Sequence, residues 1–535
     1  MTLHYHNYSR AVTFNREYVK YRDYSVFVML LMMALYIIVN LLFFWGFDSS
    51  IIDIGTFDQA LWQASHSLPL HSTVNWPYTP DNSFWSVHFA PLVFILTPLY
   101  WIKAMPEWLI IVHEVTLCIT MWILYETCYR LGAGAKMAFF WALLYFLQPN
   151  IIFTSMWEFH EQSLAIPTIA LGVLAVVEKR LLLLILCEIA LVLTKEHYGV
   201  AVVGFGLLWG WAHRDWKVGF SMMLAGIVTF YLVVFQIIPW LTGAEHPMFQ
   251  ESSYGAGNRH LDRYAWLKWP WKDALGFSLY LLQEQITVLT LIYLLVPLLF
   301  LPFLGFMFIA PAGADLAVNL LSNWNLSRDF MVYYYATVIP TFIVAACFGS
   351  LRLEHYFRRI SAANMLKGAY VVSIIALASL LIPLWSTFFP NLDNITKFGK
   401  DFPYPKPLEE ILSRLPEDKA VCASGEIGPY FTHRQKIFPF PFGLEYADAV
   451  VLRMDIPLLT REIVNPSTAN QTSKELLGMY SIDVWDLLRD PNWGVTYWKD
   501  RWLLFEKGKP DVVDPKQVEK EILDWKLPWS KPAKH

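Results

Sequence analysis

The chain of 535 residues is poor in charge. Only 16% of its residues are Asp, Glu, Lys or Arg, whereas soluble domains contain about 25%. No run of basic residues is present, which argues against a nucleic-acid-binding surface. The five cysteines form neither a pair suited to a disulfide framework nor the spacing of a metal site. The sequence also lacks an internal repeat, a glycine-rich phosphate loop and a low-complexity tract.

Apolar residues are abundant: they make up 56% of the chain and gather in long runs. This composition predicts a polytopic membrane protein, because about 20 apolar residues in a helix span a bilayer core. The first run, residues 26–47, follows a polar segment, residues 1–23, that is too long to precede a typical cleaved signal. We therefore predict that the first run is a retained signal-anchor span.

The positions of Lys and Arg predict the orientation, since short cytoplasmic loops are enriched in them. Basic residues before the first span place residues 1–25 in the cytoplasm: Arg10, Arg16, Lys20 and Arg22. Residues 87–102 are apolar, short and interrupted by two prolines, so they either cross the membrane or lie in its surface. If they cross, the pair Arg130 and Lys136 falls outside. If they lie in the surface, every later basic cluster falls inside, so we favour an interfacial helix.

With that segment in the interface, the apolar runs predict eleven spans within residues 26–389. Several are short, so boundaries are soft and one pair could form a broken or re-entrant unit. An odd number of spans places the C-terminus outside. After the first, the predicted spans are 108–128, 137–151, 163–177, 181–194, 198–211, 218–241, 277–296, 298–320, 330–348 and 368–388.

From about Pro390 the composition changes, and prolines, charges and alternating apolar patterns replace the long runs. The stretch PLEEILSRL has the spacing of an amphipathic helix, while residues 419–424, 449–453 and 502–505 are typical of short strands. We predict an extracytoplasmic α/β domain with a polar tail at residues 390–535. The predicted fold class is mostly α: a polytopic transmembrane helical bundle of about eleven spans, integral to the cell membrane, with this small C-terminal domain.

The stretch DSSIIDIGTFDQALWQ, residues 48–63, carries Asp53 and Asp58 directly behind the first span. A carboxylate near a membrane exit is costly to desolvate and is rare there unless it lines a watery or functional site. Each acid alone is better explained as a solvated loop residue. The functional interpretation depends on other polar residues that fall on the same predicted side of the membrane.

The other predicted outer segments supply such residues. They carry His88, then Glu158 and His160 in FTSMWEFHEQ, Lys195 and Glu196 in TKEH, Arg259 in a basic loop, and Arg328 and Tyr334 in SNWNLSRDFMVYYY. Structural alternatives remain open: Lys195 and Glu196 could form an ion pair at a span end, the basic loop could contact lipid headgroups, and the aromatic residues could form an interfacial belt. Glu158 and His160 are two apart, so on a helix they would point to different faces.

Jointly, these residues favour a site for transfer from a lipid-phosphate carrier. In such a reaction a carboxylate acts as general base on the acceptor hydroxyl, while cations or a metal stabilise the leaving phosphate. The catalytic candidates are Asp53, Asp58 and Glu158. The candidates for a divalent metal ion, Mg²⁺ or Mn²⁺, are Asp53, Glu158 and His160. The predicted substrate-binding residues are His88, His160, Lys195, Glu196, Arg259, Arg328 and Tyr334.

The order of these features resembles the GT-C superfamily of membrane glycosyltransferases, which includes protein mannosyltransferases and the lipid A aminoarabinose transferases. More narrowly, DIGTFDQALW, HFAPL, WEFHEQ, TKEHYG and RDFMVYYYATVIP together resemble a family of uncharacterised polytopic proteins assigned to that superfamily, over nearly the whole chain. The resemblance implies a catalytic first-loop acid, here Asp53, an assisting second-loop acid, here Glu158, and a polyprenyl-phosphate sugar as donor. The sequence departs from many members because its first-loop acids are five residues apart, and because its second-loop acid is a Glu with His160 beside it.

Three functions follow as hypotheses. The first is an inverting membrane glycosyltransferase that moves a sugar from a polyprenyl-phosphate carrier to an acceptor on the outer face, with Asp53 as base. The second is a non-catalytic structural or assembly subunit whose C-terminal domain docks a membrane-complex partner. The third is a transporter, which ranks last because the plausible mid-span charges are few: Glu114, Glu188 and Glu284. The expected partners are membrane lipid, the sugar donor and complex partners, and no nucleic acid.

Overall fold

A computed structural model describes residues 16–75, 83–86, 88–242, 283–322, 325–359, 404–454 and 484–524. The chain divides into two compact units. Unit 1 comprises Met1–Ile38, His88–Leu92 and Ile111–Pro390. Unit 2 comprises Val39–Val87, Val93–Ile110 and Asn391–His535.

Unit 1 is helical. Its α-helices, including two that continue into unit 2, are Arg16–Trp45, Glu107–Arg130, Ala135–Leu147, Pro149–Met156, Gln162–Val177, Leu181–Val192, Gly199–His213, Trp216–Leu232, Ile238–Thr242, Gln285–Leu295, Gly313–Leu320, Asn325–Arg328 and Val338–Arg359. Tighter or wider helical segments connect several of them: the 3-10 segments Glu196–Tyr198, Val296–Leu298, Leu301–Ala312 and Tyr333–Tyr335, and the π-helical segment Val233–Ile237.

Within the described residues, five helical stretches are long and apolar enough to cross a membrane: Arg16–Trp45, Glu107–Arg130, Trp216–Thr242, Leu301–Leu320 and Val338–Phe357. A sixth is added if Ala135–Leu147 and Pro149–Met156, which are bent by 50° at their break, form one span. Pro149 accounts for this bend, since proline cannot continue the helical hydrogen bonds and holds Gln148 extended. The membrane-protein prediction is confirmed. The number of eleven spans stays a prediction, and residues 368–388 lie outside the described residues.

Most predicted spans coincide with a helix, but residues 330–337 do not. Instead of running helically from Phe330, the chain makes the turn Tyr333–Tyr335, and the helix begins at Val338. A side chain from another helix satisfies this backbone, because the amide of Asn150 donates to the carbonyls of Phe330, at 2.6 Å, and Val332, at 2.9 Å. This contact joins distant parts of the chain, so a local sequence pattern does not predict it.

Helices Gly199–His213 and Trp216–Leu232 pack closely through glycine. A Cβ atom added to Gly206 would lie only 2.5 Å from the carbonyl oxygen of Gly219. Backbone therefore touches backbone, as at the small-residue interfaces of membrane helices.

Three chain segments meet at one polar contact in unit 1. The hydroxyl of Tyr18 donates to Oε1 of Glu126 at 2.5 Å. Nε of Arg130 lies 3.5 Å from Oε2 of Glu126 and 3.4 Å from Oε1 of Glu178. The beginning of the first helix and two predicted cytoplasmic turns therefore lie together, as the predicted alternation of spans requires. The orientation in the membrane stays a prediction.

In its described residues, unit 2 contains five strands: β1 (Val421–Ala423), β2 (Ile437–Pro439), β3 (Ala449–Arg453), β4 (Trp493–Lys499) and β5 (Trp502–Lys507). They form one sheet in the order β2-β1-β3-β5-β4. Strands β1, β2 and β3 are parallel neighbours, and β5 pairs antiparallel with both β3 and β4. The prediction of a strand at 449–453 is confirmed, as are strands near 419–424 and 502–505, whereas β2 and β4 were not predicted.

Unit 2 also contains the first loop. The amphipathic helix predicted from PLEEILSRL is Lys406–Arg414, and it buries Leu408 and Ile411. The same apolar core includes Phe47 and Ile51 from the other end of the sequence. The region predicted as a separate domain at 390–535 therefore shares one compact unit with the first loop. Other helices in unit 2 are Thr56–Ser65, Thr97–Ile102, residues 484–489 and Pro515–Asp524, and its 3-10 turns include Thr73–Asn75, Phe84–Ser86, Gly428–Phe431 and Leu444–Tyr446. The 3-10 segment Pro91–Leu96 begins in unit 1 and ends in unit 2.

Candidate functional site

The first-loop acid Asp53 lies in a short π-helical turn, Ile51–Gly55. The hydroxyl of Ser50 accepts a hydrogen bond from the backbone N–H of Ile52 at 3.2 Å and so caps the turn. Ile51 and Ile54 are fully buried, whereas Asp53 is partly exposed. Apolar burial on either side of Asp53 therefore fixes the turn and leaves the acid solvent access.

The second first-loop acid, Asp58, is fully buried in unit 2. The hydroxyl of Tyr100 donates to its Oδ1 at 2.5 Å. Its Oδ2 accepts a short hydrogen bond from the hydroxyl of Thr432 and lies 3.0 Å from Nε2 of His433. Asp58 thus joins the helix Thr56–Ser65 to two other parts of the same unit.

The contact with Asp58 changes the pKa of His433. Burial alone lowers the pKa of an imidazole, but attraction and hydrogen bonding to the carboxylate outweigh burial, so the pKa of His433 is raised above 6.5. The neighbouring Gln59 adds to the attachment, because its amide lies 3.0 Å from Oγ1 of Thr73 and 3.3 Å from the carbonyl of Arg434. The first-loop helix is therefore held by both charged and neutral hydrogen bonds.

A second group of site residues meets in unit 1, around a buried ion pair. Nζ of Lys195 lies 2.5 Å from Oε1 of Glu161, whose side chain is fully buried. Burial alone raises the pKa of Glu161, but His88, Lys195 and His160 together lower it below its ordinary value. Burial likewise lowers the pKa of Lys195, but Glu161 and Glu196 raise it above its ordinary value. Both partners of the pair are ionised at neutral pH.

His88, which was predicted to open an interfacial helix and precedes the 3-10 segment Pro91–Leu96, belongs to this group. Its Nδ1 lies 4.0 Å from Oε1 of Glu161. Burial lowers the pKa of His88 to about 4, so the ring is neutral at neutral pH and Lys195 supplies the positive charge that faces Glu161. The alternative that Lys195 also pairs with Glu196 stays a prediction, because Glu196 contributes to the raised pKa of Lys195. Glu196 accepts a hydrogen bond from the backbone N–H of Phe89 at 3.4 Å, which places the HFAPL segment beside it.

Glu158 and His160 are both nearly buried, with 8% and 7% of their surface exposed. Nδ1 of His160 donates to the backbone carbonyl of Glu158 at 2.9 Å, and the ring stacks on Tyr333 with 3.9 Å between centroids. Glu158 and His160 do not lie on a helix, as the prediction of different faces assumed, because residues 157–161 form a turn between two helices.

The last predicted binding residues come from the segment before Val338 and from the basic loop. Arg328 is 3% exposed, and its backbone carbonyl accepts from Thr290 at 2.6 Å. Tyr334 lies close enough to Lys195 to raise the pKa of that residue slightly further. Arg259 lies outside the described residues.

The predicted metal ligands receive no geometric support. In the described parts of both units, no group of three or more His, Cys, Asp or Glu side chains is arranged to hold a metal ion. Asp53 belongs to unit 2, while Glu158 and His160 belong to unit 1. Metal binding by this set therefore stays a prediction.

Comparison with known families decides the classification. Residues 44–504 match the family described as "Predicted membrane protein (DUF2079)". The chain belongs to this family. No curated protein matches the chain. The matched region begins in the first helix and ends in β5, so it includes both groups of residues described above.

This DUF2079 protein has buried acids to which the sequence pattern assigned no role. Glu161 is one of them. Its buried ion pair with Lys195 forms only in the folded chain, so the sequence pattern does not reveal it. Asp315 is another: it is 7% exposed and lies inside the predicted span 298–320, although it was left out of the mid-span acids. A lone carboxylate in an apolar run is the signal that would have found it. Of the acids that were named, Glu114 and Glu188 are buried, and Glu284 precedes Gln285–Leu295.

The partners of Asp58 could not have been found from the sequence. Thr432 and His433 are distant in the chain and lie in no recognisable motif. Their role depends on the packing of the first loop within unit 2.

Proposed function

We propose that this protein is an inverting membrane glycosyltransferase. It moves a sugar from a polyprenyl-phosphate carrier to an acceptor hydroxyl at the outer face of the cell membrane. The chain then has about eleven spans, a cytoplasmic N-terminus and an extracytoplasmic C-terminal domain. The resemblance of its motifs to the GT-C superfamily supports this proposal, as does a carboxylate placed directly after the first apolar helix.

The contrast between the two first-loop acids carries the proposal. Asp58 is fully buried and its two oxygens are occupied by Tyr100, Thr432 and His433. Asp53 is partly exposed and lies in a π-helical turn, a rare conformation that is frequent at functional sites. A general base must reach its substrate, so Asp53 takes that role and Asp58 positions the helix behind it.

The reaction proceeds by displacement at the anomeric carbon of the sugar. As the acceptor oxygen attacks this carbon, the carboxylate of Asp53 takes the hydroxyl proton. A new carbon–oxygen bond forms on the face opposite the phosphate, the bond from the anomeric carbon to the phosphate oxygen breaks, and its electron pair leaves with polyprenyl phosphate. The leaving group is a weak base, so it needs electrostatic stabilisation more than a proton.

The other predicted residues divide according to their contacts. Lys195 is committed to Glu161, so we assign it to holding its turn in place. Arg259 and Arg328 keep the proposed role of stabilising the leaving phosphate. Glu158 keeps the role of second acid.

The test uses the purified full-length protein in lipid nanodiscs. Polyprenyl-phosphate mannose and polyprenyl-phosphate glucose serve as labelled donor probes, and a membrane extract of the native host supplies acceptors. We expect transfer by the wild type and a loss of about 10²–10⁴-fold in Asp53→Asn, the usual contribution of a general base. Asp48→Asn is the matched control, since it makes the same change in the same loop. Wild-type rates in Asp53→Asn would exclude Asp53 as the base.

The second candidate function is a non-catalytic subunit of a membrane complex. It is favoured by the internal pairing of Asp58 and Lys195, two residues expected to act on a substrate. Purification in a mild detergent separates the two functions. Stoichiometric membrane partners, together with no turnover of either donor by the wild type, would favour the subunit.

A further inference from the structure

Two residues after Lys195, His197 makes a buried contact of a different kind. Its Nε2 lies 2.6 Å from Oδ1 of Asp315, and the hydroxyl of Thr337 donates to Oδ2 of the same carboxylate at 2.5 Å. Asp315 is 7% exposed and Thr337 is 2% exposed. These residues come from the turn Glu196–Tyr198, from the helix Gly313–Leu320 and from the position before Val338. Three separate segments of unit 1 therefore converge on one carboxylate.

The carboxylate fixes the proton on the ring of His197. An ionised carboxylate only accepts hydrogen bonds, so Nε2 is the nitrogen that carries a hydrogen. In the neutral ring the other nitrogen, Nδ1, is then an acceptor. Within the described chain, the ring of His197 makes no hydrogen bond besides that to Asp315, and its side chain is 24% exposed. Nδ1 of this partly exposed ring therefore carries a lone pair that no described group uses.

A purely structural clamp accounts for only part of this arrangement. Burying a carboxylate is costly, and its two hydrogen bonds offset that cost. Those bonds use both oxygens of Asp315 and Nε2 of His197. They do not explain the partial exposure of the ring or the remaining acceptor, Nδ1. An acid inside an apolar span also marks a functional site more often than a structural one.

The surrounding charges favour a neutral ligand. In the described chain, the basic side chain in contact with Asp315 is that of His197. The nearest cation in the sequence, Lys195, is paired with Glu161. Among the described residues, a phosphate would therefore face the Asp315 carboxylate without an uncommitted cation, whereas a ligand hydroxyl requires only an acceptor.

We propose that His197 and Asp315, supported by Thr337, form a binding site for a neutral polyol. One hydroxyl group of the ligand donates a hydrogen bond to Nδ1 of His197. Asp315 is a positioning residue, because it holds the ring and its tautomer without touching the ligand. The site stands independently of glycosyl transfer, since it requires binding and no reaction.

Carbethoxylation by diethyl pyrocarbonate tests the site, because the reagent attacks a ring nitrogen that bears a lone pair. The full-length protein in nanodiscs is treated with and without methyl α-mannoside or methyl α-glucoside, and each His is quantified by peptide mass spectrometry. We expect His197 to be modified, and the two glycosides to suppress its modification. Inorganic phosphate at equal ionic strength should not suppress it. His213 is an internal control, because it is buried and its Nε2 donates to the carbonyl of Val176.

A second arm tests the role of Asp315. In Asp315→Asn, the hydroxyl of Thr337 favours the amide oxygen, so the amide N–H donates to Nε2 and the ring proton moves to Nδ1. We expect modification of His197 to be lost in Asp315→Asn and kept in Thr337→Ser, which retains the hydroxyl. Size-exclusion profiles and melting temperatures confirm folding. Protection by phosphate, or no protection by either glycoside on the wild type, would overturn the proposal even if Asp315→Asn failed to fold.

Discussion

Nζ of Lys195 lies 2.5 Å from Oε1 of Glu161, and the side chains are 12% and 0% exposed. The contact joins the turn between helices Leu181–Val192 and Gly199–His213 to the residue that precedes Gln162–Val177. A buried ion pair stabilises a fold little compared with apolar packing, but breaking it leaves one charge without a partner. The stability of this turn therefore depends on both residues being present.

Changing either partner alone should destabilise unit 1. We expect Lys195→Met or Glu161→Gln to lower the free energy of unfolding by about 3–5 kcal/mol, because each leaves a buried group without its partner. The double variant should lose less than the sum of the two single losses. Unfolding in a titration with sodium dodecyl sulfate, followed by tryptophan fluorescence, measures all three.

An exposed ion pair provides the control. Arg489 and Glu519 lie 3.3 Å apart with side chains 59% and 32% exposed. Glu519→Gln should change stability little, because water replaces the lost contact. Additive losses in the double variant of Glu161 and Lys195 would show that the two residues act separately.

The contact between His433 and Asp58 predicts a pH-dependent stability of unit 2. The pKa of His433 in the folded protein is raised above 6.5 by Asp58. Protonation of His433 therefore stabilises the folded state. This stabilisation is fully present below the pKa that His433 has in the unfolded chain, and it is lost as the pH rises through the pKa that His433 has in the folded protein.

We expect His433→Gln to lower the melting temperature most at about pH 5.5 and progressively less toward about pH 9. Differential scanning fluorimetry of wild type and variant across this range measures the difference. His71→Gln is a suitable control, since its side chain is exposed. A constant difference between wild type and His433→Gln at every pH would show that the ring contributes packing only.

The two first-loop acids should differ in their effect on folding. Asp58→Asn weakens charge-assisted contacts to Thr432 and His433 in a fully buried position, so we expect a clear loss of stability, on the order of 1–3 kcal/mol. Asp53→Asn changes a partly exposed residue, so the melting temperature should stay close to that of the wild type. Thermal unfolding of both variants in the same detergent measures this difference in stability. Equal losses of stability in the two variants would indicate that Asp53 has a structural role like that of Asp58.

The elements that could be predicted are those whose signal is local. Apolar runs predicted helices such as Gln162–Val177, and the i, i+3 spacing of Leu408 and Ile411 predicted the helix Lys406–Arg414. Alternation and β-branching predicted the strand Ala449–Arg453. The strand β4 (Trp493–Lys499) also carries a local signal in its aromatic and β-branched residues, which the prediction missed, and its pairing with β5 establishes it as a strand.

The candidate site was predictable only in part, for the same reason. The motifs predicted that His88, His160 and Lys195 belong together, and in unit 1 all three act on Glu161. The pairing of Lys195 with Glu161 depends on how the turn that carries Lys195 packs against another segment of unit 1, which a local pattern does not contain. The contact of Asp58 with His433 depends on tertiary packing within unit 2.

Glycine at position 206 should be required for the hairpin of Gly199–His213 and Trp216–Leu232. A Cβ there would meet the carbonyl oxygen of Gly219 at 2.5 Å, so we expect Gly206→Ala to separate the helices and cost about 1–3 kcal/mol of unfolding free energy. Gly313→Ala is the matched control, because no atom lies within 4 Å of the added Cβ and the backbone suits alanine. It should be neutral or stabilising by about 0.4–1 kcal/mol. Equal stability of the two variants in detergent unfolding would contradict backbone contact between these helices.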